Sequence, residues 1–112
     1  MTVGTADAIE WLVPWHALDA RDAYGVEDEL ARELGPGHPL LGKRVRPLGR
    51  RQDCDDVLLE LLDSGECAVV HLNWTSSPPK RDPRYPGISI FPNLTAWAKK
   101  EMADDHREFC DE

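Results

Sequence analysis

The sequence predicts an α+β fold: an antiparallel sheet of three to four strands, an N-terminal helical segment and a C-terminal helix. Two observations carry that prediction. Two apolar runs at 57–62 and 67–74 are joined by Asp63-Ser64-Gly65-Glu66, a connection rich in turn formers, so they read as a β-hairpin. Helical spacing occurs before and after these strands but does not alternate with them, which argues against βαβ units and a parallel sheet. With 112 residues, of which 41% are hydrophobic, the chain has material for one core, and residues 1–112 read as one domain.

Along the chain, Trp11, Trp15 and Leu18 stand at i, i+4 and i+7 within 9–24, which predicts a helix, with Pro14 suited only to its first turn. Val26, Leu30 and Leu34 recur every four residues and predict a second helix. Its first turn would hold Glu27, Asp28 and Glu29, Gly35-Pro36 would stop it, and Gly25 would kink or separate the two helices. A turn at 35–39 leads to a strand at 43–51. Pro47 cannot donate a hydrogen bond to a ladder, so it implies an edge or a bulge there.

In the hairpin, VLLELL is apolar on both faces apart from Glu60 and reads as the central strand. AVVHLNW alternates, with Ala68, Val70, Leu72 and Trp74 on one face and Val69, His71 and Asn73 on a more polar one. Residues 75–87, TSSPPKRDPRYPG, form a long proline-rich loop, the kind that carries recognition. Residues 88–91 return as a short strand. Asn93 then caps a helix bearing Leu94, Trp97, Ala98 and Met102, and the tail beyond it is expected to fray.

The formal net charge is −8, distributed as −6 over 1–36, +5 over 37–51, −6 over 52–66, +4 over 67–100 and −5 over 101–112. A net acidic chain repels phosphate backbones, so nucleic-acid binding is not expected, whereas a basic protein partner is. No run of apolar residues approaches the length of a membrane span, and the first ten residues lack the basic flank of a secretory signal. Three cysteines, Cys54, Cys67 and Cys110, fit free thiols and a cytoplasmic location.

Motifs for chemistry are sparse. The Asp53, Asp55 and Asp56 cluster reads first as a turn satisfied by its own backbone and by Arg50 and Arg51, and only second as a cation or acid–base site. Cys67 and His71 lie four residues apart on a strand, roughly 13 Å, too far to share one zinc ion, and no cofactor is expected. Cys54 among three aspartates is a poor thiolate, and neither a nucleophile elbow nor a phosphate-binding glycine loop occurs. The residues favoured for binding are His71, which projects from the partly polar face of its strand, Trp74, Asp55, and Arg84 and Tyr85 on the long loop.

The order GHPLLGKRVRPLGRRQDCDDVLLELL, AVVHLNW, DPRYPGISIFPNLTAW, over residues 37–97, resembles a family of small uncharacterised bacterial proteins. It has an HPL-x-G start, an RR-x-D-x-DDVL segment, a VVHL-x-W strand and a DPR-x-P loop leading to a tryptophan-bearing helix. The resemblance implies a bacterial cytosolic domain and carries no catalytic residue across. Three functions are therefore open. The leading one is a non-enzymatic protein-binding module, of the immunity-protein or antitoxin kind, that masks a basic partner. Another is a small enzyme whose cleft gathers His71, Arg84, Tyr85 and the 53–56 turn. The third is self-association through an edge strand or the tryptophan-bearing helices.

Overall fold

The computed structural model describes residues 10–34, 37–72 and 87–110. It is α+β, with five strands rather than three or four, and the chain order is also the spatial order: β1 (Trp15–Ala17), β2 (Val45–Arg51), β3 (Asp56–Leu61), β4 (Cys67–His71) and β5 (Gly87–Phe91), every neighbour antiparallel. One helix, α1 (Ala20–Glu33), joins β1 to β2. The chain closes with α2 (Leu94–Trp97), a wider π-helical stretch over Ala98–Met102, and α3 (Ala103–Cys110). The expected fraying is not found over 103–110, which are helical.

The fifth strand comes from a segment expected to be helical. Pro14 follows a cis peptide bond, and residues 15–17 run extended against β2, with Trp15 opposite Arg51 and Ala17 opposite Gly49. The regular spacing of Trp11, Trp15 and Leu18 is coincidental, because the three residues serve different layers. Trp15 is buried in one core cluster with Trp11 packed against it, and Leu18 packs against the other cluster.

The helix begins only after β1, where the Asp19 carboxylate accepts from the Asp22 amide at 2.7 Å and supplies the N-cap. Glu27, Asp28 and Glu29 therefore occupy its middle rather than its first turn, and it runs unbroken through Gly25. Val26 and Leu30 face the sheet, and Leu34 ends the helix with its amide still bonded to the Leu30 carbonyl at 3.0 Å.

Pro47 behaves as its chemistry requires. β2 is interior, between β1 and β3, and its register shifts between Pro47 and Gly49, so the missing donor falls at a bulge. The hairpin forms as predicted, with the Leu61 amide donating to the Glu66 carbonyl at 2.8 Å. Gly65 takes a φ of 81° in that turn, a conformation that favours glycine.

β3 is central, and Val57, Leu58 and Leu59 are fully buried because both faces of the sheet are covered. One face packs Val57, Leu59, Leu61, Ala68, Val70 and Leu72 against Val26 and Leu30 of α1 and against Leu40. The other packs Trp15, Leu48, Leu58, Cys67 and Val69 against Leu94, Trp97 and Met102. The expected polar face of β4 is thus mostly core: the C-terminal helices bury Cys67 and Val69, and only His71 emerges. Each fully buried Val or Leu contributes about 1.5–3 kcal/mol, so the two clusters dominate stability.

Candidate functional site

Three surface features arise from this frame: a polar cleft at the β2–β3 turn, an oriented histidine at the end of β4, and an apolar groove along α1.

The cleft has a volume of about 490 Å³ and is lined by His16, Asp22, Arg50, Arg51, Gln52, Asp53, Cys54 and Asp55. The antiparallel register sets His16 opposite Arg50, and the short turn to β3 holds the aspartates beside the two arginines. Arg51 grips Asp53 through two hydrogen bonds, 2.8 and 2.7 Å, and reaches Asp105 on α3 at 3.5 Å. Asp55 lies 3.8 Å from Arg50. Hydrogen bonding by Arg51 holds the Asp53 carboxyl below the usual carboxylate range, and the same pairing raises Arg51 further above its ordinary value. The Cys54 thiol is pushed up, first by partial desolvation and then by the charges of Asp56 and Asp53. Both directions oppose chemistry near neutral pH, where a general acid needs a raised carboxyl and a nucleophile a lowered thiol.

His71 does not line this cleft. Its ring bonds Asp56, the residue opposite it across β3 and β4, and Gly87 of β5 lies against the ring edge. Successive strand residues point to opposite faces, so Asp55 goes to the cleft and Asp56 to His71. A carboxylate-oriented imidazole is half of a hydrolytic constellation, but no hydroxyl or thiol of the described residues is hydrogen-bonded to it. The expected site is therefore divided: Asp55 and His71 serve separate places, and Trp74, Arg84 and Tyr85 lie outside the described residues.

The remaining chemistry-bearing groups have structural partners. His38 is buried, and its Nδ1 accepts from the Leu40 amide at 3.1 Å, fixing the turn before β2. Burial pushes the Cys67 thiol up to about 12, with help from Glu60 and Glu66, and its Sγ lies 3.6 Å from the Asn93 carbonyl. It is a small apolar residue in practice. No group of three His, Cys, Asp or Glu side chains among the described residues could hold a metal ion, and no described helix is long and apolar enough to cross a membrane.

The groove has a volume of about 470 Å³ and runs between α1 and residues 40–45, lined by Glu27, Leu30, Ala31, Leu34, Leu40, Leu41, Gly42, Lys43, Arg44 and Val45. Its origin is a doublet: Leu40 plunges into the core, so Leu41 must point outward, and it leaves 52% of its surface exposed. Tyr24, 73% exposed, stands one helical turn before Glu27 and Asp28 on the same side of α1. On the opposite wall Arg44 is turned to Asp63 at 2.6 Å, which leaves Lys43 as the neighbouring cation. Sequence reasoning missed this groove. Its one local signal is the Leu40-Leu41 pair, two adjacent leucines in the turn over 39–42, of which one is buried and the other exposed.

No protein-family model matches the chain, and neither a curated protein nor a solved structure is significantly similar to it, so its function is argued from the residues themselves.

Proposed function

We propose that the protein is a non-enzymatic binding module that holds a basic, amphipathic segment of a partner protein in the groove between α1 and residues 40–45. The observation that carries this reading is the apolar groove itself, with Leu41 half in water on a surface otherwise dominated by charge. Leu30, Leu34, Leu40 and Val45 give it an aliphatic floor, suited to the apolar side of a helix or an extended peptide.

Charge on the α1 wall, across the groove from Lys43, supports basic residues on the side of the partner that faces it. Glu27 stands at the rim with Asp28 beside it, Tyr24 offers an exposed aromatic anchor on the same helix, and the whole chain carries −8. Against catalysis stand the directions of the titrating groups in the polar cleft, where Asp53 is held low and Cys54 is held high.

The test is a titration of the isotopically labelled protein, followed by amide chemical shifts, with a synthetic peptide presenting leucines at helical spacing flanked by lysines. Saturable shifts centred on Leu30, Leu34, Leu41 and Val45 are expected, weakening as salt rises. Leu41→Lys, at an exposed position, is expected to leave the fold intact and weaken binding by at least about tenfold. A peptide with glutamates in place of the lysines is expected to bind less tightly. Absence of saturable shifts, or shifts centred on the polar cleft, overturns the proposal.

A further inference from the structure

The two edges of the sheet are guarded unequally. β1 is three residues long and so offers almost no ladder to a visitor, a common way of blunting an edge. β5 is five residues long, Gly-Ile-Ser-Ile-Phe, with no charge, no proline and no register shift against β4. Among the described residues no strand pairs with its outer side, and Ile90 is 45% exposed.

From this asymmetry we infer that β5 is a self-association surface, on which the strand pairs antiparallel with β5 of a second copy across a two-fold axis at Ser89. Three observations select a second copy over another partner. First, the strand is uncharged in a chain with 30% charged residues and a net charge of −8. A basic partner gains no attraction there, whereas a like-charged copy meets its least repulsion there.

Second, the strand is self-complementary. An axis at Ser89 sets Ile88 opposite Ile90 of the other copy and Ile90 opposite its Ile88. All four lie on the face where Ile88 already packs against the aliphatic core, so the exposed part of Ile90 is covered by its own kind. Third, the same axis sets Phe91 opposite Gly87 of the other copy. A Cβ at Gly87 would meet the His71 ring at 3.4 Å, so the strand is bare there apart from that ring, and the outward part of Phe91, half-buried against the aromatic core of its own copy, covers the strand glycine. The arrangement is isologous, so it closes at two copies.

Its strength is bounded by its size. Five residues span about 17 Å of strand, and the area covered is well under that of a standard stable interface, so the dimer is a weak one that forms as concentration rises toward about the millimolar range.

The experiment is sedimentation velocity on the free protein over a concentration series, without any peptide, so its outcome is separate from that of the groove titration. A concentration-dependent monomer–dimer equilibrium is expected. Ile90→Lys is expected to raise the dissociation constant at least about tenfold at unchanged circular dichroism, because it places a lysine at an exposed edge position in each copy.

A second arm uses Ser89→Cys with Cys54 and Cys110 replaced by serine. Directly opposed residues of antiparallel strands have Cα atoms about 4.5–5.5 Å apart, within disulfide reach, so mild oxidation is expected to give a covalent dimer faster than Asp28→Cys in the same background. A protein that stays monomeric throughout the series overturns the inference. So does a dimer indifferent to Ile90→Lys, growth beyond two copies, or cross-linking no faster than the Asp28→Cys control.

Discussion

The two faces of the sheet are held by different physics. On the α1 face the cluster is wholly aliphatic or small, Val26, Leu30, Leu40, Val57, Leu59, Leu61, Ala68, Val70 and Leu72, and such side chains attract one another without regard to direction. On the other face three tryptophans meet edge-on: Trp15 and Trp97 with ring centres 5.0 Å apart and planes at 89°, and Trp11 with Trp97 at 6.2 Å. That packing is pinned by polar contacts. The Trp15 indole donates to Asp105 at 2.8 Å, Arg51 reaches the same carboxylate at 3.5 Å, and the His106 ring lies 2.7 Å from the Val13 carbonyl.

The difference explains where the groove can lie. A non-directional aliphatic layer tolerates an incomplete edge, so the α1 side can leave Leu41 in water and remain folded. The aromatic side closes on itself through contacts that each demand a specific geometry.

The largest effects should come from the buried anchors. Trp97→Ala is expected to cost about 3–5 kcal/mol in urea unfolding. Leu59→Ala on the opposite face should cost about 2–5 kcal/mol, but Leu59→Met less than about 1.5 kcal/mol, because an aliphatic layer accepts a volume-conserving swap. If Trp97→Met is tolerated as readily as Leu59→Met, the contrast between the faces is broken.

Gly49 gives the next effect. A Cβ added there would stand 2.4 Å from the Trp11 ring, so Gly49→Ala must displace that ring at a cost of about 1–3 kcal/mol. Combining it with Trp11→Leu should recover part of the loss, and a double-mutant cycle measures the coupling. Additive costs would mean that Trp11 is not what confines the glycine.

Asp105→Ala should cost about 1–3 kcal/mol, since it leaves the buried Trp15 indole without its acceptor. A shifted Trp15 indole proton resonance checks the cause.

The smallest effect is at acid pH. Asp53 is held below its ordinary value in the folded state, so the unfolded chain takes up this proton first as pH falls. The stabilisation is complete above the ordinary aspartate value and drains away below it. Because Asp53 is largely exposed, the contribution is under about 1 kcal/mol, and Asp53→Asn should flatten that part of the stability–pH curve.

How much of this was legible in the sequence follows from how local each cause is. The β3–β4 hairpin, the Pro47 bulge, the Asn93 cap and the burial of β3 on both sides are written in neighbouring residues, and the structure agrees with each. The first strand was not legible. Its residues carry helical spacing, and only pairing with β2 makes 15–17 extended. The polar face of β4 was misjudged for a related reason. Cys67 and Val69 are covered by Leu94 and Trp97, more than twenty residues away, and no local pattern announces that.

The candidate site fared similarly. Alternation correctly separated Asp55 from Asp56, but the partner of His71 depends on the register between two strands, and the groove depends on a loop closing against a helix.

The contact between Asp105 and Trp15 also orders events in time. A chain emerging from the ribosome can complete the aliphatic layer once residue 72 is free, because α1 and β2–β4 are then all present. The aromatic layer cannot close until the last helix is released, ninety residues after the tryptophan it secures. During that interval Trp15, Leu58 and Val69 are exposed to solvent or to a chaperone. The nascent protein is thus half-folded by layer, with its stickiest surface the last to be covered.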